Sequence, residues 1–258
     1  MVDISRNGAH STGVSELFQL LRDGQPRTRA ELAGITGLGR STVASRVDAL
    51  MAVGLVTAVG DATSTGGRPS SMFALNPGAR LALAVDIGAS HVNIAITDLV
   101  GTELATDSAA IDIAEGPLVV LGWIVEAARG LLDSLGRDRD ALIGVGIGVP
   151  GPVEHSTGRP INPPIMPGWD RFDVAGWVEQ QLDARTLVDN DVNIMALGER
   201  ALAWPNVDHL LFIKVATGIG SGIISDGMLQ RGAQGIAGDI GHVRIARAAD
   251  VPCRCGNR

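Results

Sequence analysis

Cysteine is scarce in this chain, and no run of apolar residues is long enough to cross a membrane. The two cysteines among the 258 residues, Cys253 and Cys255, lie one residue apart. Such a pair cannot easily close a disulfide on itself, so metal ligation or chance explains it better. The longest apolar runs, such as Leu81–Val85 and Leu210–Ile213, have the length of strands. Residues 1–15 lack a basic cluster followed by an apolar stretch, and we expect a cytoplasmic protein with no membrane partner.

The chain also has little positive charge. Its formal charge of −7 argues against a general affinity for nucleic acids. The charge is unevenly distributed, because residues 1–77 carry seven arginines and six acidic residues, whereas the remainder carries 14 basic and 22 acidic residues. A nearly neutral, arginine-bearing head before an acidic body fits a DNA-reading module joined to an effector domain. The length and the apolar fraction of 45% suit a small domain plus a larger one.

The first part of the chain contains three short helical patterns. Apolar residues recur at helical spacing over residues 14–21. Thr28 with Glu31 three residues later forms a capping-box pattern for a second helix through Ala33. A glycine turn then precedes a longer helix, Arg40–Met51. A short helix, a turn and a longer helix are typical of a helix-turn-helix.

The longest of these helices carries polar side chains of the kind that read DNA. Its apolar residues Val43, Val47 and Leu50 share one face, which leaves a polar set pointing outward. Arginine makes bidentate contacts to guanine, and serine and threonine bind phosphates or base edges. The predicted DNA-binding residues of this helix are Arg40, Ser41, Thr42, Ser45 and Arg46.

Two strands follow, at residues 54–59 and 71–75, and the segment between them carries Arg68 at a flexible tip. An arginine there suits a minor groove or the DNA backbone, and a helix-turn-helix followed by a hairpin is a winged helix. Such modules generally bind two half-sites as dimers. The alternative is a small helical protein-interaction domain whose charges form a solvated face. Asn76-Pro77-Gly78 breaks the chain, so we predict domains at residues 1–77 and 78–258.

Two glycine turns follow apolar strands in the body. The strand at residues 81–87 ends in Asp86-Ile87-Gly88, where a glycine lets backbone amides approach a phosphate and a carboxylate can orient a metal or water. The strand at residues 210–216 leads into Thr217–Gly222, which lacks the spacing of a P-loop. A tight hairpin is the alternative for each segment, but two of them in one chain favour a phosphate clamp.

An acid-amide cluster lies between a strand at residues 186–188 and a helix at 194–203. Asp191, at the strand-to-helix turn, is placed to act as a general base for a substrate hydroxyl. Asn190 beside it can both donate and accept hydrogen bonds. The alternative, which is compatible with this, is that Asp189 or Asp191 caps the helix. Upstream, a proline-rich loop ending in Trp169 is typical of a pocket wall or of a surface loop.

The end of the chain contains a possible metal motif. His242, Cys253 and Cys255 supply three ligands of the kind that hold zinc tetrahedrally. A structural zinc site needs a fourth ligand, which this sequence does not contain after Cys255.

In their order along the chain, these motifs resemble those of the ROK family (repressors, uncharacterised reading frames and kinases), in its winged-helix regulator branch of xylose and N-acetylglucosamine repressors. The resemblance implies an α/β fold in which an N-terminal winged helix-turn-helix precedes an actin-like, ribonuclease H-like two-lobed domain of the sugar kinase type. It implies a first lobe at residues 81–188 and an incomplete second lobe at 189–258. The motifs that carry it are Thr28–Leu50, Gly66–Pro69, Asp86–Gly88, Pro150–Val153, Asn190-Asp191, Ala216–Gly222, Gly238–His242 and Cys253–Gly256.

The resemblance also assigns site residues. It implies sugar contacts by Asn190, Asp191, Asp239 and His242, with Asp191 as the catalytic residue of a kinase. It implies phosphate or nucleotide contacts by Asp86, Gly88, Thr217, Gly218 and Gly220. It implies a structural zinc ion held by His242, Cys253 and Cys255, with the fourth ligand beyond the end of this chain.

Two departures from the family pattern bear on catalysis. Asp239 stands where the kinases of the family usually carry glutamate, and the first phosphate motif reads Asp-Ile-Gly-Ala-Ser instead of Asp-Ile-Gly-Gly-Thr. These changes affect phosphoryl transfer more than sugar contact. We therefore expect a sugar-responsive repressor of carbohydrate-metabolism genes, with operator DNA, a small sugar or sugar phosphate and a second copy of the chain as partners. An ATP- and Mg²⁺-dependent sugar kinase is the alternative, and a protein-binding regulator with a vestigial cleft is a third.

Overall fold

The structure, a computed structural model, describes residues 13–61, 70–216 and 218–243. The chain divides into two compact units. Within the described residues, the head unit comprises 13–61, 70–81 and 97–103, and the body unit comprises 82–96, 104–216 and 218–243. No helix in these ranges is long and apolar enough to span a membrane. Four predicted site residues lie outside the described residues, namely Arg68, Thr217, Cys253 and Cys255.

The head unit contains helices and a small antiparallel sheet. Its elements are α1 (Gly13–Leu21), β1 (Arg27–Thr28), α2 (Arg29–Thr36), α3 (Arg40–Ala52), β2 (Val56–Asp61) and β3 (Ser71–Leu75). The strand order is β1-β3-β2. The apolar face predicted for α3 is confirmed, since Val43, Val47 and Leu50 are buried with Leu17, Leu21 and Leu32 of the other helices. Residues 97–103 also belong to this unit, although no pattern in the sequence predicted it.

Helix α2 begins at the predicted capping box. The Thr28 hydroxyl accepts a hydrogen bond from the Glu31 backbone N–H at 3.2 Å, and a carboxylate oxygen of Glu31 accepts one from the Thr28 backbone N–H at 2.7 Å. The hydrogen bonds from Thr28 hold the pKa of Glu31 below its ordinary value. The helix extends to Thr36, beyond the predicted end at Ala33, because Gly37 adopts a left-handed conformation (φ 69°) and closes it there.

We expect Thr28→Ala to destabilise α2 by about 1 kcal/mol, because the substitution leaves an N-terminal N–H without its acceptor. Amide exchange within α2 should then be about fivefold faster. The Thr28 hydroxyl also donates to the Glu31 carboxylate at 2.9 Å, so part of the difference should be present at neutral pH and be lost as the pH falls through the lowered pKa of Glu31. Thr28→Ser, which keeps the hydroxyl, is the control. Equal exchange in both variants would contradict the prediction.

The body unit contains a five-stranded sheet with helices packed against it. Its first elements are β4 (Leu81–Ile87), β5 (Val92–Thr97), β6 (Glu103–Ala109), α4 (Pro117–Ser134), β7 (Leu142–Val149), β8 (Val153–Glu154), β9 (Arg159–Pro160), α5 (Val174–Leu182) and β10 (Thr186–Asn190). The strand order is β10-β7-β4-β5-β6, and β10 runs parallel to β7. Because β7 and β10 are parallel neighbours, the segments that follow them, at residues 150–152 and at 191, leave the same edge of the sheet.

The rest of the body unit is a helix packed on an antiparallel sheet. Its elements are α6 (Asp191–Leu202), β11 (Leu210–Val215), β12 (Ile219–Ser225) and β13 (Met228–Leu229). Strand β12 begins at Ile219, so the prediction that residues 217–222 form a turn is wrong for most of that segment. Gly222 lies under α6, where an added Cβ would approach the Val192 carbonyl oxygen to 2.9 Å. This glycine therefore allows the close approach of a helix.

Candidate functional site

The candidate site is built around the junction of β10 and α6. Asn190 ends the strand and caps the helix: its Oδ1 accepts hydrogen bonds from the backbone N–H groups of Val192 (3.0 Å) and Asn193 (3.3 Å). The alternative interpretation, in which Asp189 or Asp191 caps α6, is therefore wrong. The Nδ2 of Asn190 donates to the Gly151 carbonyl at 3.1 Å. The amide thus links the helix N-terminus to the loop after β7.

Asp191 is the first residue of α6 and is 4% exposed. Its Oδ2 accepts a hydrogen bond from the Lys214 Nζ at 2.6 Å, and its Oδ1 accepts one from the Val192 backbone N–H at 2.8 Å. Lys214 comes from β11, which packs against α6. Sequence reasoning missed Lys214, although a signal was present: it is the only lysine among the 21 basic residues of the chain.

Asp189 is the second buried carboxylate of the site, with 7% of its surface exposed. Its Oδ2 accepts a hydrogen bond from the Arg231 Nε at 2.8 Å and lies 3.5 Å from the His155 Nδ1. Its Oδ1 accepts from the Asn193 Nδ2 at 3.0 Å and from the Asn190 backbone N–H at 2.8 Å. Each oxygen of Asp189 therefore has two polar neighbours, whereas each oxygen of Asp191 has one, so Asp189 serves to hold the surrounding segments in place.

The charges of the site are matched in pairs. Asp191 is paired with Lys214, and Asp189 is paired with Arg231. All four side chains are at most 27% exposed. Such pairing is what allows two carboxylates to be buried close together, because an unpaired buried charge is strongly unfavourable.

The first predicted phosphate motif forms a tight turn after β4. The Gly88 backbone N–H donates to the His91 carbonyl oxygen at 2.8 Å, so this turn occupies the amide. The His91 ring lies beside the glycine, since an added Cβ at Gly88 would be 2.1 Å from its Cε1. Asp86 lies 3.6 Å from the His91 Nε2 and accepts a hydrogen bond from the Asn93 Nδ2 at 3.3 Å.

The second predicted phosphate motif lies between β11 and β12. The Ala216 backbone N–H donates to the Gly218 carbonyl oxygen at 2.9 Å, which closes the turn. Gly220 lies within β12 against α6, where an added Cβ would be 3.1 Å from a methyl group of Val192. Packing of the helix thus accounts for this glycine.

The segment with Asp239 and His242 follows the small sheet and ends in a short 3-10 helix, Ile240–His242. The two side chains are each 40% exposed, and the His242 Nε2 lies 3.7 Å from an Asp239 oxygen. Among the described residues, no group of three or more His, Cys, Asp or Glu side chains could hold a metal ion. The predicted zinc site stays a prediction, because its two cysteines lie outside those residues.

The predicted DNA-binding residues lie at the beginning and on one side of α3. Arg40, Ser41, Thr42 and Ser45 are exposed. Arg46 is turned partly inward, because its guanidinium lies 3.8 Å from the Glu16 carboxylate and its side chain is 23% exposed.

Comparisons with known proteins agree with this architecture. The model of the ROK family matches residues 82–258. The xylose repressor of Bacillus subtilis (strain 168) is 30% identical over 243 residues, which cover 94% of this chain and 62% of that repressor. A ROK family transcriptional regulator, a homolog of the E. coli MLC protein, superposes with a TM-score of 0.79 at 21% identity over 95% of this chain and 62% of that one.

A sugar kinase is also among the similar structures. The ROK glucokinase from Streptomyces griseus, solved with glucose and AMPPNP, superposes with a TM-score of 0.58 at 30% identity. That match covers 69% of this chain and 55% of the glucokinase. The chain has the α/β ROK-family fold, which it shares with actin-like sugar kinases, and it spans about three fifths of the length of the xylose repressor, of which 62% is matched.

Proposed function

This chain belongs to the ROK family, and we propose that it acts in a sugar-responsive repressor of carbohydrate-metabolism genes. One observation carries the proposal. The match to the Bacillus subtilis xylose repressor covers 94% of the chain, whereas the match to the Streptomyces griseus glucokinase covers 69%. Because the repressor match leaves out only 6% of the chain, it must include most of the head unit. A kinase has no need for such a unit.

The head unit is proposed to be a winged helix-turn-helix that binds operator DNA as a homodimer or higher oligomer. Helices α2 and α3 are joined by a short turn and followed by the β2–β3 hairpin. Arg40, Ser41 and Thr42 form the exposed first turn of α3, where backbone N–H groups also suit a phosphate. Arg68 is proposed to contact DNA from the tip of the hairpin.

The body unit is proposed to bind the effector, a small sugar or sugar phosphate. Asn190 and Asp191 lie together at the start of α6, and Asp239 and His242 are proposed to add contacts. A sugar acts as an effector only if it binds better to one of two arrangements of the DNA-binding heads. Zinc bound by His242, Cys253 and Cys255 is proposed to order the segment that carries His242.

The contacts of the Asp191 carboxylate and of the Gly88 backbone N–H favour binding over catalysis. As a general base, Asp191 would take a proton from a sugar hydroxyl, but Lys214 donates to its Oδ2 at 2.6 Å. The Gly88 amide, which a nucleotide phosphate would need, donates to the His91 carbonyl. ATP and Mg²⁺ would be needed only if the protein were instead a sugar kinase, which is the alternative function.

Binding of the protein to promoter DNA from its own gene region tests the proposal. We expect a sugar such as D-xylose or D-glucose to change the apparent Kd by at least about fivefold, the lower end of typical allosteric coupling. Arg40→Ala should weaken DNA binding by about 1–3 kcal/mol. Arg22→Ala, in the turn that follows α1 of the same unit, is the matched control.

Three outcomes separate the candidates. DNA affinity that no sugar alters removes the effector part of the proposal. Absence of DNA binding by the wild-type protein rules out the proposed repressor function. Release of ADP with a hexose, abolished by Asp191→Asn, establishes the kinase instead.

A further inference from the structure

Lysine occurs once in this chain, at position 214, whereas the other 20 basic residues are arginine. The two side chains are not equivalent. Arginine presents a planar fork, while lysine presents a compact ammonium with three donors on a flexible stem. The single lysine lies at the candidate sugar site, on the carboxylate expected to contact the ligand.

The environment of the Lys214 ammonium explains what this side chain can do. Its Nζ lies 2.6 Å from the Asp191 Oδ2, and the two side chains are 26% and 6% exposed. In the described part of the chain, Asp191 is the one hydrogen-bond partner of Nζ. One of the three ammonium donors is thereby used, which leaves capacity for a second partner.

We propose that Lys214 contacts the ligand: its ammonium and the Asp191 carboxylate together bind one hydroxyl group of an uncharged sugar. This inference rests on the sugar-binding function proposed above. A hydroxyl is both donor and acceptor, so it can donate to the carboxylate and accept from the ammonium at the same time. Both hydrogen bonds are charge-assisted, and their partial burial makes them stronger than they are in water.

The charge balance of the site favours an uncharged ligand over a phosphorylated one. The Lys214 charge is matched by Asp191, and the Arg231 charge is matched by Asp189. A phosphate monoester bound here would therefore lie close to two carboxylates, and the two ion pairs would offer it no net positive charge. It would also compete with Asp191 for the Lys214 ammonium.

Direct binding measurements on the full protein test the contact without DNA. The probes are D-xylose, D-glucose and glucose 6-phosphate, measured by titration calorimetry on the wild type, Lys214→Met and Arg129→Met. We expect the wild type to bind an uncharged sugar more tightly than the phosphate. Lys214→Met should lower that affinity by about 10- to 100-fold, the loss expected for a hydrogen bond to a charged group. Arg129 forms an ion pair with Glu126 on α4, so Arg129→Met is a matched control with unchanged affinity.

The single lysine allows a second measurement, in which the signal should stay unchanged if Lys214 has only a structural role. Reductive methylation with ¹³C-formaldehyde labels Lys214 and the N-terminal amine. Dimethylation keeps the charge of the lysine but leaves one donor, which cannot serve both Asp191 and the sugar, so the methylated protein should bind the sugar more weakly and its signal is recorded at saturating sugar. The Lys214 signal is identified by its loss in Lys214→Arg. We expect this signal, and not that of the N-terminal amine, to shift when the sugar binds. This readout also serves if Lys214→Met fails to fold.

The outcomes distinguish this inference from the proposed function. Equal sugar affinity in the wild type and Lys214→Met, with an unmoved methyl signal, overturns the Lys214 contact and leaves the repressor proposal intact. Tighter binding of glucose 6-phosphate than of either uncharged sugar overturns the assignment of the ligand class. A wild-type protein that binds none of the probes overturns both the contact and the proposed sugar response.

Discussion

Trp169→Ala is expected to lower the free energy of unfolding of the body unit by about 3–5 kcal/mol, the range for removing a large aromatic side chain from a core. Trp169 has no exposed surface, although it follows a proline-rich loop. Its Nε1 donates to the Ile113 carbonyl oxygen at 3.1 Å in a buried hydrogen bond. Truncation would leave both a cavity and a buried carbonyl group without its partner.

Urea denaturation followed by far-UV circular dichroism measures this loss independently of tryptophan fluorescence. Trp204→Ala is the matched control, because Trp204 is 52% exposed and its Nε1 donates to a solvent-accessible glutamate. Trp169→Phe should fall between the two, since it keeps an aromatic ring but loses the hydrogen bond. Equal midpoints for Trp169→Ala and Trp204→Ala would show that the ring contributes little to the core.

The role of Trp169 illustrates the limit of reading a loop from its sequence. A proline-rich segment ending in an aromatic residue predicted a pocket wall or a surface loop, yet the ring is a core residue. Its hydrogen-bond partner lies 56 positions earlier in the chain. Local composition carries no information about a partner that distant.

Helices and strands were predictable from the sequence where their buried residues recur at the regular spacing of that element. The bounds of β4, in which buried residues alternate with more exposed ones, are those predicted, and α3 begins at the expected residue, Arg40. Helix α4 gave a weaker signal, because Leu118 and Val119 are apolar but 61% and 51% exposed, which blurs its amphipathic pattern. The sequence was sufficient to locate the acid-amide cluster at the start of α6. It was not sufficient to identify the residue that caps the helix, because that depends on where the backbone leaves the strand conformation.

Side-chain partners within the site were less predictable than the positions of its motifs. Asn190 and Asp191 were identified because they follow a strand and precede a helix. Lys214 reaches Asp191 from a strand 23 residues later, and Arg231 reaches Asp189 across 42 residues. These contacts depend on the packing of α6 against the small sheet, which motif spacing does not encode.

Gly238→Ala is expected to release the segment that carries Asp239 and His242. Gly238 has φ +94°, and an added Cβ would lie 2.0 Å from the Ser221 carbonyl oxygen of β12. The Gly238 carbonyl accepts hydrogen bonds from the backbone N–H and the hydroxyl of Ser221, both at 2.8 Å. A Cβ at this position would separate the two backbones and break both bonds. We expect a local cost of about 2–5 kcal/mol from strain and overpacking together.

Amide exchange at Ser221 measures this loss directly, because that N–H is bonded to Gly238. The exchange rate should rise by at least about 30-fold, which corresponds to the lower end of the expected cost. Gly198→Ala is the matched control: Gly198 lies in α6 with no atom within 4 Å of an added Cβ, and alanine there should stabilise the helix by up to about 1 kcal/mol. If Asp239 and His242 contact the sugar as proposed, Gly238→Ala also weakens sugar binding, whereas Gly198→Ala does not. Slow exchange at Ser221 in Gly238→Ala would mean that the segment accepts a side chain there, and the close backbone contact would then not be what holds Asp239 and His242 in place.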